Sequence, residues 1–270
     1  MLSVLILTKN EEADLPGCLA SIPWCNDIHV IDSGSVDRSV EIAETHGACV
    51  QVNPFQSFAQ QRNWALDHCA LKHDWILFLD ADERSTDSFH AAVIAAIRSA
   101  PLSTSGFYCC WKTILGNRWL KRSDNFPKWQ FRMLRRGSAA FADSGHGQKE
   151  GDVKGEIGYI YEPYLHYAFS RGWDYWMQKH RKYAKQDAMV ILEKRLSMQL
   201  LFSRHGSKRN AAIKRLVRLS PGWPRIRFMY SYLLRGGFLE GREALAYCRK
   251  MMWYERQIRI EFDLMRRATQ

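Results

Sequence analysis

The chain has no glycine-rich turn behind its first apolar run. Leu2–Leu7 leads into Thr8-Lys9-Asn10-Glu11-Glu12, whereas a dinucleotide cofactor would ask for G-x-G-x-x-G there and an acid about 20 residues further on. That absence argues against a nicotinamide oxidoreductase. Seven cysteines are present, an odd set without a C-x-x-C pair, which suits neither a disulfide framework nor a zinc knuckle. They read as reduced thiols in a cytosolic protein. No window approaches the ~18 unbroken apolar residues of a membrane-spanning helix, and the N-terminus has neither a basic flank nor a signal-like apolar stretch. The expectation is a protein that is soluble or lies on a membrane without crossing it. Helix-turn-helix, zinc and RNP patterns are missing too, as are internal repeats and low-complexity tracts.

What is there is an ordinary globular composition, 46% hydrophobic over 270 residues, enough for a substantial core. The net charge of +11 is unevenly spread. Residues 171–270 carry 23 Lys and Arg against 8 Asp and Glu, a balance of +15, and residues 1–170 sum to −4. A surface for an acidic partner therefore belongs to the C-terminal part. In the first hundred residues short apolar runs (Leu2–Leu7, Ile28–Ile31, Ala48–Val52, Trp75–Leu79) alternate with helical spacings such as Leu15, Leu19, Ile22 and Phe89, Val93, Ile97, the pattern of strand-helix units around a mainly parallel sheet. From Gly106 to about Ile160 the runs are shorter and β-like (Phe107–Ile114, Trp129–Leu134, Ile157–Tyr161). Beyond Gly172 helices dominate, broken at Ser220-Pro221-Gly222-Trp223-Pro224. The α/β reading thus has three parts: a nucleotide-binding half over 1–100, an acceptor-side extension over 101–170, and a basic helical extension over 171–270.

Acidic residues stand just beyond the ends of the expected parallel strands. Asp32 follows Ile28–Ile31, and Asp80 and Asp82 follow Trp75–Leu79, at the sheet edge where loops diverge and ligands bind. Two like charges one residue apart behind a buried strand are costly unless a cation or donors compensate them. Magnesium or manganese on a nucleotide diphosphate would do so, since such ions take one or two protein carboxylates and complete their shell from phosphate and water. Capping of the helix that starts near Thr86 is the ordinary use of acids at such a place. The strongly apolar strand before them and Glu83-Arg84 after them favour the cation. Asp32 suits a ribose or base, Asp37 suits a helix cap, and Arg62 in Gln60-Gln61-Arg62-Asn63 projects from a helix as a phosphate partner or a solvated residue.

Four motifs in order, Thr8-Lys9-Asn10-Glu11, Asp32-Ser33-Gly34-Ser35-x-Asp37, Gln61-Arg62-Asn63 and Asp80-Ala81-Asp82-Glu83, together resemble the family 2 glycosyltransferases of GT-A fold, and most nearly the bacterial enzymes that extend lipopolysaccharide core or surface polysaccharide. The resemblance implies a GT-A type mixed sheet with flanking helices. It assigns Thr8, Asn10 and Glu11 to the nucleoside pocket of a nucleotide-sugar donor, Asp32 to the base, Arg62 to the neighbourhood of the nucleotide, Asp80 to ribose and metal, and Asp82 to a Mg2+ or Mn2+ ion. It further implies inversion by in-line attack, with a carboxylate base on the acceptor hydroxyl and cationic groups on the leaving diphosphate.

Where related core-extending enzymes show a His-Glu pair, this chain reads Asp143-Ser144-Gly145-His146-Gly147-Gln148-Lys149-Glu150, with glycine in place of the glutamate. Asp143 and Glu150 are the candidate bases. Asp143 is preferred slightly because it directly follows Ala139–Ala142 at a strand end, and Asp124 comes next. His146 and His166 are candidate third metal ligands, His146 the better placed because its glycine neighbours allow close approach. Lys179, Arg181 and Lys182 are phosphate contacts or a solvated helix face. Residues 204–235 interleave Arg204, Lys208, Arg209, Lys214, Arg215, Arg218, Arg225, Arg227 and Arg235 with Trp223, Phe228, Tyr230 and Tyr232. That mixture suits an anionic membrane face, so the expected setting is peripheral, on the inner face of the cytoplasmic membrane, with a lipid-linked saccharide as acceptor. The competing readings are a catalytically silent nucleotide-binding scaffold on this fold and a basic nucleic-acid-binding protein, against which the acidic strand ends count.

Overall fold

The computed structural model describes residues 1–145, 147–193, 217, 218 and 220–268. His146 and Arg204, Lys208, Arg209, Lys214 and Arg215 of the basic segment lie outside the described residues. By its internal contacts the chain divides into two units, Met1–Lys121 with Phe126–Arg171, and the residues from Gly172 onward with Arg122–Asn125.

In the first unit the alternating pattern becomes a strand-helix series. Strands β1 (Leu2–Thr8), β2 (Ile28–Asp32), β3 (Cys49–Val52) and β4 (Trp75–Asp80) alternate with helices α1 (Leu15–Ala20), α2 (Ser39–Thr45) and α3 (Phe58–His68). The short β5 (Glu83–Arg84) precedes α4 (Asp87–Ser99). Thr86 caps α4 by accepting from the Phe89 N–H at 3.1 Å, so neither acid of Asp80-Ala81-Asp82 serves as the cap. Then come β6 (Thr104–Leu115), β7 (Arg118–Trp119), β8 (Trp129–Arg135), β9 (Ala139–Ser144), β10 (Gly147–Val153) and β11 (Glu156–His166).

The main sheet runs β3-β2-β1-β4-β8-β6-β11-β5, with β7 on β6, and β9 and β10 form a separate hairpin. β1, β2, β3 and β4 are mutually parallel, whereas β8 runs antiparallel to both β4 and β6. The winding reverses between β1 and β4, and such a reversal leaves a crevice beyond the carboxyl ends of the strands. Register fills that crevice: Thr8 pairs with Asp32 and Leu7 with Asp80, so the motif residues share one edge. All seven residues of β1 are buried. Val4 and Ile6 pack with α1 and α4 residues Leu15, Leu19, Phe89 and Val93, and Leu5 and Leu7 pack with α3 residues Ala59 and Ala65. Burial on both faces explains why the centre of β1, Val4–Leu7, is unbroken apolar sequence.

The second unit is helical. α5 (Gly172–Glu193) packs on α7 (Gly241–Ala268), where Trp176 stacks on His180 at 3.6 Å and the Tyr254 hydroxyl donates to Asp187 at 3.0 Å. The break expected at Ser220–Pro224 is a turn that opens α6 (Trp223–Met229), which continues into a π-helical turn, Tyr230–Leu234, and a 3-10 turn, Gly237–Glu240. Two of the cations read as surface charge are not free here. Arg218 and Arg227 both pair with the Glu255 carboxylate, which is buried on α7. Lys179 and Arg181 of α5 lie over the rings of Tyr183 and Trp253. Asp124 is buried and accepts from the Tyr247 hydroxyl, which removes it from the candidate bases. All seven cysteines are free. Among the described residues no helix is long and apolar enough to cross a membrane.

Candidate functional site

The loops after β1 and β2 brace each other. The backbone N–H groups of Asn10, Glu11 and Glu12 donate to Ser35 Oγ, Ser39 Oγ and Asp37 Oδ2, at 2.8, 2.8 and 3.1 Å. In return the Val36 N–H donates to Asn10 Oδ1 at 2.8 Å and the Arg38 N–H to Glu12 Oε2 at 3.2 Å. Asn10 adopts a left-handed φ of 54°, which asparagine tolerates better than most residues. Asp37 also accepts from the Ser39 N–H that opens α2, but Arg38 occupies the N-cap position, so Asp37 braces the helix start from one residue further out. Asp32 is buried, and its carboxylate accepts from the N–H groups of Gly34 and Ser35 and from the Ser35 hydroxyl. The carboxylate therefore shapes the turn around itself, a task additional to the base contact that the resemblance gives it. Glu11 pairs with Arg171 at 3.7 Å, and Arg171 also donates to the Asn10 carbonyl at 2.7 Å. The Thr8 hydroxyl is buried without a hydrogen-bond partner.

At the end of β4 the structure corrects two expectations. Asp80 is not short of counter-charge: Arg62 Nη2 donates to its Oδ1 at 2.9 Å and Arg132 Nη2 to its Oδ2 at 2.7 Å. Burial would raise the Asp80 carboxyl, but these two guanidinium groups outweigh it and hold the group well below the usual carboxylate range. Nor does Arg62 project into solvent. It is fully buried, with its guanidinium against the rings of Phe58, Phe78 and Phe141 at 5.5–5.8 Å, and it reaches the site edge only through Asp80. Burial lowers its pKa to about 10, with Asp80 opposing. Arg132 also donates to Glu83 Oε1 at 2.6 Å, and Glu83 in turn accepts from the Asp80 N–H at 2.8 Å and the Tyr164 hydroxyl at 3.2 Å. Burial pushes Glu83 up to about 7, Arg132 opposing and Asp80 adding to the rise.

Asp82 is the partly open acid. Its carboxylate lies 3.4 Å from His166 Nε2, and both side chains are 24% exposed. The contact follows from strand pairing, because β11 ends antiparallel to β5 with His166 opposite Glu83, and the Tyr167 N–H donates to the Asp82 carbonyl at 2.8 Å. Burial would lower the His166 pKa, but Asp82 more than offsets it and the pKa is raised. Arg84 fixes the turn from behind, donating to the carbonyls of Ala81, Glu83 and Asp14 at 2.8–2.9 Å. A Cβ on Gly17 would lie 2.5 Å from the Arg84 Nε, so a side chain there would displace the guanidinium from this position.

The candidate bases sit on the β9–β10 hairpin. Asp143 is exposed opposite Gln148, and Glu150 is half-buried opposite Phe141. Burial and a hydrogen bond to Glu150 push the Tyr108 phenol up to about 12. The hairpin is tied to α3 by Asn63, whose Nδ2 donates to the Phe141 carbonyl and whose Oδ1 accepts the Phe141 N–H, both at 2.9 Å. Gln61 holds Asn53 and Ser33, so each residue of Gln61-Arg62-Asn63 braces a different wall. Arg132 is not among the residues the sequence singles out, and Glu83 enters there only as part of the motif that contains Asp80 and Asp82. A charged residue inside the apolar strand Phe131-Arg132-Met133-Leu134 was the available signal, since a buried guanidinium requires a partner.

Among the described residues no three His, Cys, Asp or Glu side chains gather closely enough to hold a metal unaided. Asp82 and His166 nevertheless make a suitable pair for a hard divalent cation that draws its other ligands from phosphate and water.

The profile of the family described as "Glycosyl transferase family 2" matches residues 3–146. An uncharacterized glycosyltransferase of Rickettsia bellii is 41% identical over 83 residues, 30% of this chain and 28% of its own length. The lipopolysaccharide core biosynthesis glycosyltransferase LpsC of Rhizobium meliloti is 34% identical over 88 residues, 31% of this chain and 32% of its own. The chain thus matches less than a third of the length of these relatives. The mannosyltransferase PcManGT of Pyrobaculum calidifontis, solved with GDP-Man and Mn2+, superposes with a TM-score of 0.54 over 97% of this chain and 86% of its own at 14% identity. That likeness is one of fold, and the fold is GT-A.

Proposed function

This chain belongs to glycosyl transferase family 2, and from that premise we propose that it transfers a glycosyl group, with inversion, from a nucleotide-sugar donor to a lipid-linked saccharide in bacterial envelope polysaccharide or lipopolysaccharide synthesis. The observation that carries the reading is the division of labour at the end of β4. Asp80 is neutralised by two buried arginines, while Asp82 stays partly open beside His166.

In this reading Asn10, Glu11, Asp32 and Thr8 form the nucleoside side of the donor pocket. Asp80, aimed by Arg62 and Arg132, accepts from the ribose. Asp82 and His166 hold a magnesium or manganese ion, which when bound supplies positive charge to the leaving diphosphate. As the acceptor oxygen bonds to the anomeric carbon and the diphosphate departs, the acceptor's proton passes to a carboxylate of the β9–β10 hairpin, Asp143 or Glu150. His146 stands as an alternative ligand. The basic C-terminal part keeps the protein at the anionic inner face of the cytoplasmic membrane, where such an acceptor is found.

The test is calorimetric titration of nucleoside diphosphates with and without Mn2+. Asp82→Ala should abolish the metal dependence of diphosphate binding. His166→Ala should weaken metal affinity by at least about tenfold, because loss of even an outer-shell partner costs that much. Should Asp82→Ala bind diphosphate as tightly as the parent and with the same metal dependence, the metal assignment is wrong.

A further inference from the structure

Most large apolar side chains on the surface of this protein are scattered, as is usual. The stretch from Ile226 to Leu239 is different. Of the 17 large hydrophobic residues exposed among the described residues, seven fall within it, and a concentration of that kind marks an interaction site. Ile226, Met229, Tyr230, Leu233 and Leu234 recur at three- and four-residue intervals along α6 and the π-helical turn, so they share one helical face. Phe238 and Leu239 extend it through the 3-10 turn. Leu234 is 82% exposed and Leu239 60%.

The other side of the same stretch is anchored. Pro224, Ser231, Gly237 and Glu240 are buried. The Glu240 carboxylate accepts from the N–H groups of Arg122 and Ser123 and from the Ser123 hydroxyl. A Cβ on Gly237 would come within 2.6 Å of the Ser231 carbonyl, so the turn is held tightly. The buried Glu240 carboxylate is thus satisfied and Phe228 turns inward beside Tyr247 and Met251, while the seven exposed apolar side chains face away from that anchor. Charge at the border is predominantly positive. Arg225, Arg242 and Arg122 are exposed, Arg242 has the half-buried Glu243 beside it at 3.7 Å, and Arg122 Nη1 lies close to Gly236. The sole acid between Pro221 and Arg242 is the buried Glu240.

We propose that this apolar face docks into the headgroup and upper acyl region of an anionic lipid bilayer, with the bordering arginines on the lipid phosphates. The inference rests on the reading that the chain works at an anionic membrane, and it names the element that enters it. A rigid amphipathic segment with basic flanks binds an interface through buried apolar area together with attraction to anionic headgroups. Arg218 and Arg227, spent on Glu255, take no part. A second copy of this chain is the poorer occupant, because a two-fold interface sets the same patch against itself and would bring three arginines of each copy together, offset only by the half-buried Glu243 beside Arg242.

The experiment is co-sedimentation of the full chain with vesicles of phosphatidylglycerol and phosphatidylethanolamine, and with pure phosphatidylcholine, at low and high salt. The parent should bind the anionic vesicles and retain part of that binding at high salt, because screening removes only the exposed-charge component. Leu234→Glu with Leu239→Glu should lower partitioning by about tenfold or more, given the free energy of burying two leucines, and leave none at high salt. Arg225→Gln with Arg242→Gln should remove only the salt-sensitive part. Both sites are exposed, so thermal melting of each variant should match the parent. If the leucine variant partitions as the parent does, this face is not the membrane element although the membrane reading survives. If the parent ignores anionic vesicles even at low salt, both fall. If instead the parent sediments as a dimer that the leucine variant dissociates, with no vesicle binding by either, the face is a self-interface and the proposal is overturned.

Discussion

Replacing Arg132 with methionine is expected to destabilise the first unit by about 3–5 kcal/mol, the usual cost of removing one partner from a buried ion pair. One Nη2 atom serves both Asp80 and Glu83 at 2.7 and 2.6 Å, and Arg62 reaches only Asp80. Without Arg132 the Glu83 carboxyl, 1% exposed, loses its ion-pair partner. Asp80 suffers less, since Arg62 remains and its side chain is 32% exposed. Arg132→Lys should fall between parent and methionine variant, because an ammonium keeps the charge but lacks the planar fork. Urea midpoints of the three proteins check this. A loss below about 1 kcal/mol in the methionine variant, the scale of an exposed pair, would mean that the bridge contributes no more than a surface contact.

The second large effect concerns turnover. Removing the carboxylate that takes the acceptor proton should lower kcat by roughly 10²–10⁴-fold while donor binding stays near that of the parent, since the group acts on the other substrate. Asp143→Asn and Glu150→Gln are the variants to compare. Asp143 is exposed on its strand, whereas Glu150 is engaged by the Tyr108 hydroxyl, so the two should differ, and the larger loss is expected at Asp143. Glu150→Gln keeps an acceptor for the phenol, which separates a structural from a chemical role at that position. Single-turnover rates with saturating donor would decide between them, and full activity in both variants would remove the hairpin from the proposed chemistry.

Much of the donor half was legible because it is local. Apolar runs of four to six residues mark β1 to β4 within one residue at either end, and strand ends followed by acids point to the ligand edge. Contacts made across long stretches of chain were not. Arg132 lies 52 residues from Asp80, and nothing near it in the sequence names its partner. The sequence favours His146 over His166 because glycine neighbours are visible in it and the β5–β11 pairing that brings His166 to Asp82 is not. Arg218 and Arg227 read as surface charge until α7 supplies Glu255. β10 has no alternation of its own to mark it, because Gly147–Val153 contains a single large apolar residue, and its pairing comes from β9.

The Asn63 clamp bears on how such a protein can change over time. It grips the main chain of Phe141, amide to N–H and carbonyl, and is indifferent to the side chains that the hairpin displays beyond that point. Its neighbour Arg62, on the same helix, is locked to Asp80. Substitutions at the exposed Ser144 and Lys149 leave that clamp untouched, so under the proposed function the surface beside the candidate bases can vary by drift while the helix that aims Asp80 stays as it was.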